Sequence, residues 1–332
     1  MKLPQPRGPL SGQLVDVLSG FDPAATFTPP VAVDPLGDDD LQLSLFVCYQ
    51  LHFGGFDGVD DRWEWHPALL AWRACLEEPF EAALRELCHR SAVPPAEVPA
   101  ALAELIAAQG GPAVSKYVRR QANLEQFREL LMHRSLYHLR EADPHTFAIP
   151  RLTGRPKAAL IEIQIDEYGG GQLPRMHAEL FRTTMAEIDL DTTAGAYLDM
   201  APAVTLATNN LMSLFGLHRR LRGALLGQLA VFEMNSSAPN RRYANGLRRL
   251  GGAASATRFF DEHVEADAVH EQIAAHDMCA AFCAAEPDQT ANLLFGAAAW
   301  LEVEKRLNVH LIERWEQGDT AMYFGNEAIA TA

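Results

Sequence analysis

The stretch FFDEHVEADAVHEQ, residues 259–272, says most about how this chain folds. His263, Asp267 and His270 are spaced four and three residues apart, so on an α-helix they lie along one face. The neighbouring positions include apolar residues that suit a helix packed inside a bundle. Burying two imidazoles and a carboxylate together costs on the order of several kcal/mol of folding free energy unless a partner compensates them. A divalent metal would do so, because both groups are natural metal ligands; the alternative is a solvated, charged helix face.

Helical spacing of apolar residues extends over most of the chain from Asp38 onward. Acidic residues 38–40 suit a helix N-terminus, and Pro67 suits the first turn of another helix. Alternating strand patterns bounded by hairpin dipeptides are nearly absent. The sequence therefore predicts an all-α bundle, with helices at about 41–53, 67–90, 97–109, 112–142, 153–168, 175–187, 196–217, 219–237, 239–250, 255–284 and 289–317.

The first 37 residues differ from the rest of the chain. They hold many of the prolines and show no regular apolar period. We predict a Pro-rich N-terminal arm at residues 1–37, followed by a single helical domain at residues 38–332.

Composition excludes several classes of protein. The 332 residues carry 28 basic and 43 acidic side chains, for a formal charge of −15, which argues against a nucleic-acid partner. No apolar run reaches the roughly 18–20 residues that cross a bilayer, and the first residues make a poor secretory signal. The five cysteines are interpreted as buried small apolar residues in a reducing compartment. These features predict a soluble, cytoplasmic protein.

A second segment with possible chemistry is IEIQIDEYGGGQLPRMHAELF, residues 161–181. Glu167 and His177 are ten residues apart, about 15 Å along an unbroken helix, which is too far for one metal. The three glycines 169–171 fall between them, where a helix would break. An interrupted helix could bring both side chains to one point, although the glycines also suit a simple loop. Two further carboxylates compete for the same role, Glu162 and Asp166.

Other acidic residues are less informative individually. Glu233 follows a strongly apolar stretch, so a buried carboxylate that needs a metal or a donor is plausible, as is a helix-end residue in water. Glu141 lies at the end of a long predicted helix and is unremarkable in isolation. A C-terminal group does not fall on one helix stripe, and we interpret it as a solvated face: Glu302, Glu304, His310 and Glu313.

Taken in order, these residues carry a resemblance to a known family. The chain has no Glu-x-x-His motif of the ferritin-like type. Instead, its motif strings IDEYGGG (165–171) and FFDEHVEADAVHE (259–271) resemble those of the haem-oxygenase-like di-iron oxidases and oxygenases, over about residues 120–280. The full ordered set that resembles the family pattern is Glu141, Glu167, His177, Glu233, His263, Asp267 and His270.

The resemblance implies about seven core helices in a haem-oxygenase-like fold without haem, extended by N-terminal helices. It implies two iron ions bridged by Glu167, which together with Glu141 is expected to be catalytic. By the family pattern, the first iron is held by Glu167, His177, Glu233 and His270. The second is held by Glu141, Glu167, His263 and Asp267.

The same resemblance implies the reaction class. O2 is the expected co-substrate, with electrons from an external donor protein or reductant. The extra carboxylate Glu141 favours N-oxygenation of an amino-acid-like or heteroaromatic amine in specialised metabolism. Oxidative C–C cleavage or desaturation of an amino acid or fatty acid, and a metal-free helical protein that binds a small ligand, remain alternatives. A homodimer stays open, and Tyr168 and Arg175 are candidates for substrate recognition.

Overall fold

The computed structural model describes residues 1–28 and 34–325, without the side chains of residues 265–269. The described residues form α-helices and short 3₁₀ turns, with no strand among them. The all-α prediction is therefore confirmed. The helices are α1 (Pro9–Leu18), α2 (Asp39–Gln50), α3 (Pro67–Cys88), α4 (Val98–Ala107), α5 (Val114–Arg120), α6 (Leu124–His138), α7 (Asp143–Thr146), α8 (Gly154–Glu167), α9 (His177–Ala186), α10 (Ala203–Leu217), α11 (Arg222–Arg249), α12 (Ala254–Gln272), α13 (Ala281–Ala285) and α14 (Thr290–Glu316).

Shorter helical segments connect these elements. A π-helix, Ile273–Ala280, joins α12 to α13 directly after His270. The 3₁₀ turns are Asp61–Trp65, Pro95–Glu97, Ile149–Arg151, Gly169–Gly171, Leu173–Arg175, Leu198–Met200, Arg219–Leu221 and Pro287–Gln289.

Several helix boundaries differ from the sequence prediction, and two of these differences have a clear physical cause. The segment predicted as one helix at 112–142 is divided into α5 and α6, because Asn123 begins a new helix: its side chain accepts a hydrogen bond from the Gln126 amide. Conversely, α11 runs through Pro239, where the sequence predicted a break. Proline removes one hydrogen bond and usually kinks a helix, but α11 packs extensively against both α12 and α14, and this packing supports its continuation.

The N-terminal segment contains a helix that the sequence did not predict. Leu14 and Leu18 of α1 are fully buried, and Asp40 at the start of α2 accepts hydrogen bonds from the Leu10 and Ser11 amides. Arg7 also donates to the Ala201 carbonyl at 2.7 Å. This segment is therefore packed on the helical body, and the division of the chain into arm and domain stays a prediction.

The helices enclose two apolar clusters in the described part of the chain. The larger lies around α2, α3, α10, α11 and α14. The smaller joins α5, α6, α9 and α12 to the ends of α11 and α14. No described helix is long and apolar enough to cross a membrane. Four of the five cysteines are buried as predicted, while Cys75 is exposed.

Helices α11 and α14 cross at close range because both carry glycine at the contact. A Cβ atom on Gly227 would overlap the Leu293 carbonyl oxygen, and one on Gly296 would overlap the backbone of Ala224. Absence of these two side chains lets the backbones approach, so the crossing depends on glycine for space rather than for backbone conformation.

We predict that Gly227→Ala lowers the free energy of unfolding by about 1–3 kcal/mol, since overpacking outweighs the roughly 1 kcal/mol that alanine gains in a helix. Gly12→Ala in α1 is the matched control, because its Cβ would meet nothing closer than 3.9 Å. Urea denaturation measures both. Equal stability of the two variants would contradict the close crossing.

Candidate metal centre

The break between α8 and α9 brings Glu167 and His177 together. Glu167 is the last residue of α8 and His177 is the first of α9. Between them Gly169, Gly170 and Gly171 all have positive φ, at 61°, 63° and 77°, a region that favours glycine. As a result, His177 Nδ1 lies 2.9 Å from Glu167 Oε2, and both side chains are buried.

Glu141 lies in the turn after α6, not at the end of a long helix as predicted. The following residue, Ala142, has a φ of 75°, an uncommon conformation for alanine. Gln164 of α8 holds this turn by donating to the Ala142 carbonyl at 3.0 Å. His138 Nδ1 lies 2.7 Å from Glu141 Oε1 and fixes one oxygen of the carboxylate. The other oxygen, Oε2, is buried without a hydrogen-bond partner.

Helix α12 supplies His263 to the same place. Its Nδ1 lies 2.8 Å from the Phe259 carbonyl, so that nitrogen donates and the other, Nε2, carries the lone pair. Nε2 points to Glu141, 3.8 Å from Oε1. Fixing an imidazole by a bond from its far nitrogen is how proteins orient metal-binding histidines.

A second group of side chains lies on the other side of Glu167. His270 of α12 has Nδ1 3.2 Å from Glu233 Oε2 of α11, and both residues are buried. Its Nε2 lies 2.9 Å from Asp166 Oδ2, whose side chain is 59% exposed. Of the two competing carboxylates, Asp166 therefore contacts the site, whereas Glu162 is exposed.

These residues form two groups with one member in common. Glu141, Glu167, His177 and His263 have ligand atoms within 4.8 Å of one another, and so do Glu167, Glu233 and His270. Six of the seven candidate ligands are thus brought together. The seventh, Asp267, lies outside the described side chains. The grouping differs from the family pattern at His177, which the structure places with Glu141 and His263 rather than with Glu233 and His270.

The residues of both groups fit a metal. Imidazole and carboxylate are suitable donors for first-row metals. His177 Nδ1 and Glu167 Oε2 are close but not aligned for a hydrogen bond, and each is buried without another partner. Two buried donor atoms that face the same point without bonding each other are what two ligands of one cation present.

Charge interactions shift the pKa values of several side chains in the site. Burial would raise the pKa of Glu141, but His138 and His263 hold it well below its usual range. Burial would lower the pKa of His177, but the Glu167 carboxylate raises it above the ordinary value. The pKa of His270 is raised to about 9 by Glu233 and Asp166 against the effect of burial. These interactions favour the ionised form of Glu141 and the protonated forms of His177 and His270. A cation that binds here would displace protons from its imidazole ligands.

A cavity of about 320 Å³ opens beside the first group. It is bounded by α6, α11, α12 and α14, and His138 and His263 both line it. Neither Tyr168 nor Arg175, which the sequence suggested for substrate recognition, is part of its lining. Tyr168 instead donates to Asp143 Oδ1 at 2.7 Å.

Sequence reasoning missed two features of this cavity and its surroundings. Glu304, interpreted as part of a solvated face, lines the cavity and accepts two hydrogen bonds from Arg134, one of 2.8 Å. The side chains of both residues are only 17% exposed. His138, which lies three residues before Glu141, was the other omission. The three-residue spacing between His138 and Glu141 could have indicated this contact. The Arg134–Glu304 pair is separated by 170 residues, so no local pattern in the sequence indicates it.

Fold and site together define an all-α protein with a buried histidine–carboxylate cluster suited to metal. The family model of the iron-containing redox enzymes matches residues 128–305, more than half of the chain. This protein therefore belongs to the iron-containing redox enzyme family.

The chain is also similar to part of one characterised enzyme. Nitrosourea synthase of Streptomyces achromogenes subsp. streptozoticus is 27% identical over 136 residues, which is 41% of this chain and 29% of the relative. The match thus spans less than a third of that protein's length. Family membership supports an oxidoreductase that contains iron, while the relative's name informs only the proposal below.

We predict that Gly169→Ala disturbs the centre more than Gly170→Ala. Both substitutions place alanine at positive φ, which costs roughly 1–2 kcal/mol. Only the Cβ at Gly169 would overlap the backbone of Arg175 and Met176, just before His177, whereas Gly170 faces open space. Urea denaturation should show the larger loss for Gly169→Ala, and Co²⁺ titration should show weaker binding. Equal losses would contradict the close turn.

Proposed function

We propose that this protein is a non-haem di-iron, O2-dependent oxygenase that N-oxygenates an amine. The single observation that carries the proposal is the pair of ligand groups joined by Glu167. A carboxylate has two oxygens and can bridge two metals, whereas a mononuclear site would leave the second group of buried ligands unexplained.

Each residue of the two groups has a distinct role in this proposal. Glu167 belongs to both groups and would bind both ions. Glu141, His177 and His263 would hold the iron beside the cavity, with Asp267 expected to join them. Glu233 and His270 would complete the other iron site, where Asp166 would orient the His270 ring.

Iron bound here would supply the electrons that activate O2. In N-hydroxylation, one oxygen atom enters an N–H bond and the other leaves as water. Two electrons and two protons are then required from an external reductant, an electron-donor protein or a small molecule. The protein orients the ligands and excludes water from a site whose carboxylates and imidazoles are buried.

The choice of nitrogen as the oxidised atom rests on two supports. A nitrosourea contains an oxidised nitrogen, and the enzyme named for its synthesis is similar to part of this chain. The carboxylate Glu141 provides an additional ligand beside the cavity. The proposed substrate is an amino-acid-like or heteroaromatic amine.

Iron stoichiometry tests the di-iron part. Anaerobic titration with Fe²⁺ should give about two ions per chain. We predict that Glu233→Ala loses about one of them, and that Glu167→Ala weakens binding at both, by more than the roughly 10–100-fold typical of residues that only support a ligand. An O2 pulse followed by stopped-flow absorption should give a transient band that these variants lose.

Matched controls lie close by in the sequence. Glu162→Ala removes an exposed carboxylate from α8, five residues before Glu167, and His276→Ala removes an exposed imidazole from the π-helix, six residues after His270. Both should bind iron as the parent does. Binding of a single ion in the parent, unchanged in Glu233→Ala, would refute the di-iron proposal.

Product analysis tests the reaction. With isotopically labelled O2, iron and a reductant, a screen of amines should yield hydroxylamine, nitroso or nitro products that carry the label. Amino acids and fatty acids are screened in parallel for desaturated or shortened products. Labelled oxygen on nitrogen is the expected outcome; products changed only at carbon would refute N-oxygenation while leaving the di-iron assignment intact.

A further inference from the structure

The cavity beside His138 and His263 has two chemically different parts. Its aromatic wall includes Phe181, Phe259 and Trp300. Phe181 and Phe259 pack against the His138 ring, with centroids 4.9 and 5.2 Å away, so this wall adjoins the candidate metal centre. An apolar portion of a ligand would be favoured here.

The remainder of the lining is polar and carries net positive charge. Among the residues that the structure describes, the cationic lining residues other than histidine are Lys116, Arg134 and Arg242, and the lining carboxylate is Glu304. With Arg134 paired to Glu304, Lys116 and Arg242 keep two positive charges that no carboxylate of the described residues pairs with, in a chain whose formal charge is −15. A positive cavity in an acidic protein attracts an anionic group.

Arg242 is the residue best placed to bind that group. It is partly buried, whereas Lys116 is exposed. Its guanidinium donates to Ser115 Oγ at 3.3 Å, and no carboxylate of the described residues pairs with it. Guanidinium binds carboxylate strongly because it presents parallel donors.

Positions along α11 indicate how far Arg242 lies from the metal centre. Arg242 follows Glu233 by nine residues, about 13.5 Å along a helix axis, and its long side chain spans part of that distance. Asn308 of α14 also lines the cavity, eight residues after Trp300, and its Oδ1 is buried without a hydrogen-bond partner. Polar groups for recognition therefore lie far from the metal centre, and a ligand that reaches both must be extended.

We propose that this cavity binds an extended amine that carries a carboxylate at its opposite end, with Arg242 holding the carboxylate. The amine then faces the Glu141–His263 side of the centre, and Asn308 accepts a hydrogen bond from any donor near the carboxylate. The position of the amine rests on the proposed function, whereas the carboxylate site depends only on the cavity.

Calorimetric titration of the full chain without O2 tests the proposal. The probes are 6-aminohexanoate and 1-aminohexane, which have the same carbon chain and amine but differ in the carboxylate. We expect the parent to bind 6-aminohexanoate at least about tenfold more tightly. Arg242→Gln should abolish this preference, while Arg241→Gln, the same change at the exposed neighbouring position, should retain it.

Each outcome supports or overturns the carboxylate site, independently of whether the protein has oxygenase activity. Equal binding of both probes by the parent, binding of neither, or an unchanged preference in a folded Arg242→Gln variant would overturn the proposal. The comparison of the two probes in the parent needs no variant to fold. Because binding is measured without O2, a chain that fails the iron titration but keeps the Arg242-dependent preference would refute the oxygenase function alone.

Discussion

The central constraint in this structure is the burial of Glu141, Glu167 and Glu233 within reach of three imidazoles. Carboxylates are rarely buried unless a cation or several donors compensate them. No single helix could supply that compensation. The candidate metal ligands instead come from the turn after α6, the end of α8, the start of α9, and from α11 and α12. The tight crossing of α11 and α14 and the turn held by Gln164 serve to place these groups at one point.

The same constraint explains where the backbone departs from regular helix. Between Glu167 and His177 the chain needs three consecutive residues at positive φ, and glycine occupies all three. Ala142 adopts positive φ without being glycine, so some backbone strain lies next to the candidate ligand Glu141. A π-helix begins three residues after His270, and such segments are frequent at functional sites. Irregular backbone is thus found next to several candidate ligands.

Sequence reasoning predicted the features that depend on local spacing. Helical periodicity gave the all-α fold, and the glycines gave the break that joins Glu167 to His177. The resemblance supplied Glu141 and Glu233, which spacing alone could not select. Long-range features were inaccessible: the Arg134–Glu304 pair and the Arg242 side of the cavity depend on how α6, α11 and α14 pack. The helix across Pro239 was missed for a related reason, because tertiary packing overrode a local preference. The grouping of His177 with His263 also depends on three-dimensional geometry, with ring centroids 4.4 Å apart.

The two sides of the centre have unequal surroundings, and this asymmetry bears on how a reaction would be organised. On one side, His263 lines a cavity whose far part carries Arg242. On the other, His270 contacts Asp166, whose side chain is largely exposed, so a hydrogen-bonded path leads from this imidazole to the surface. A substrate held from the cavity would meet the Glu141–His263 side without competing with that path. Under the proposed function, this separation would keep bulk water away from the bond being oxidised, while Asp166 would hold the His270 ring from the solvent side.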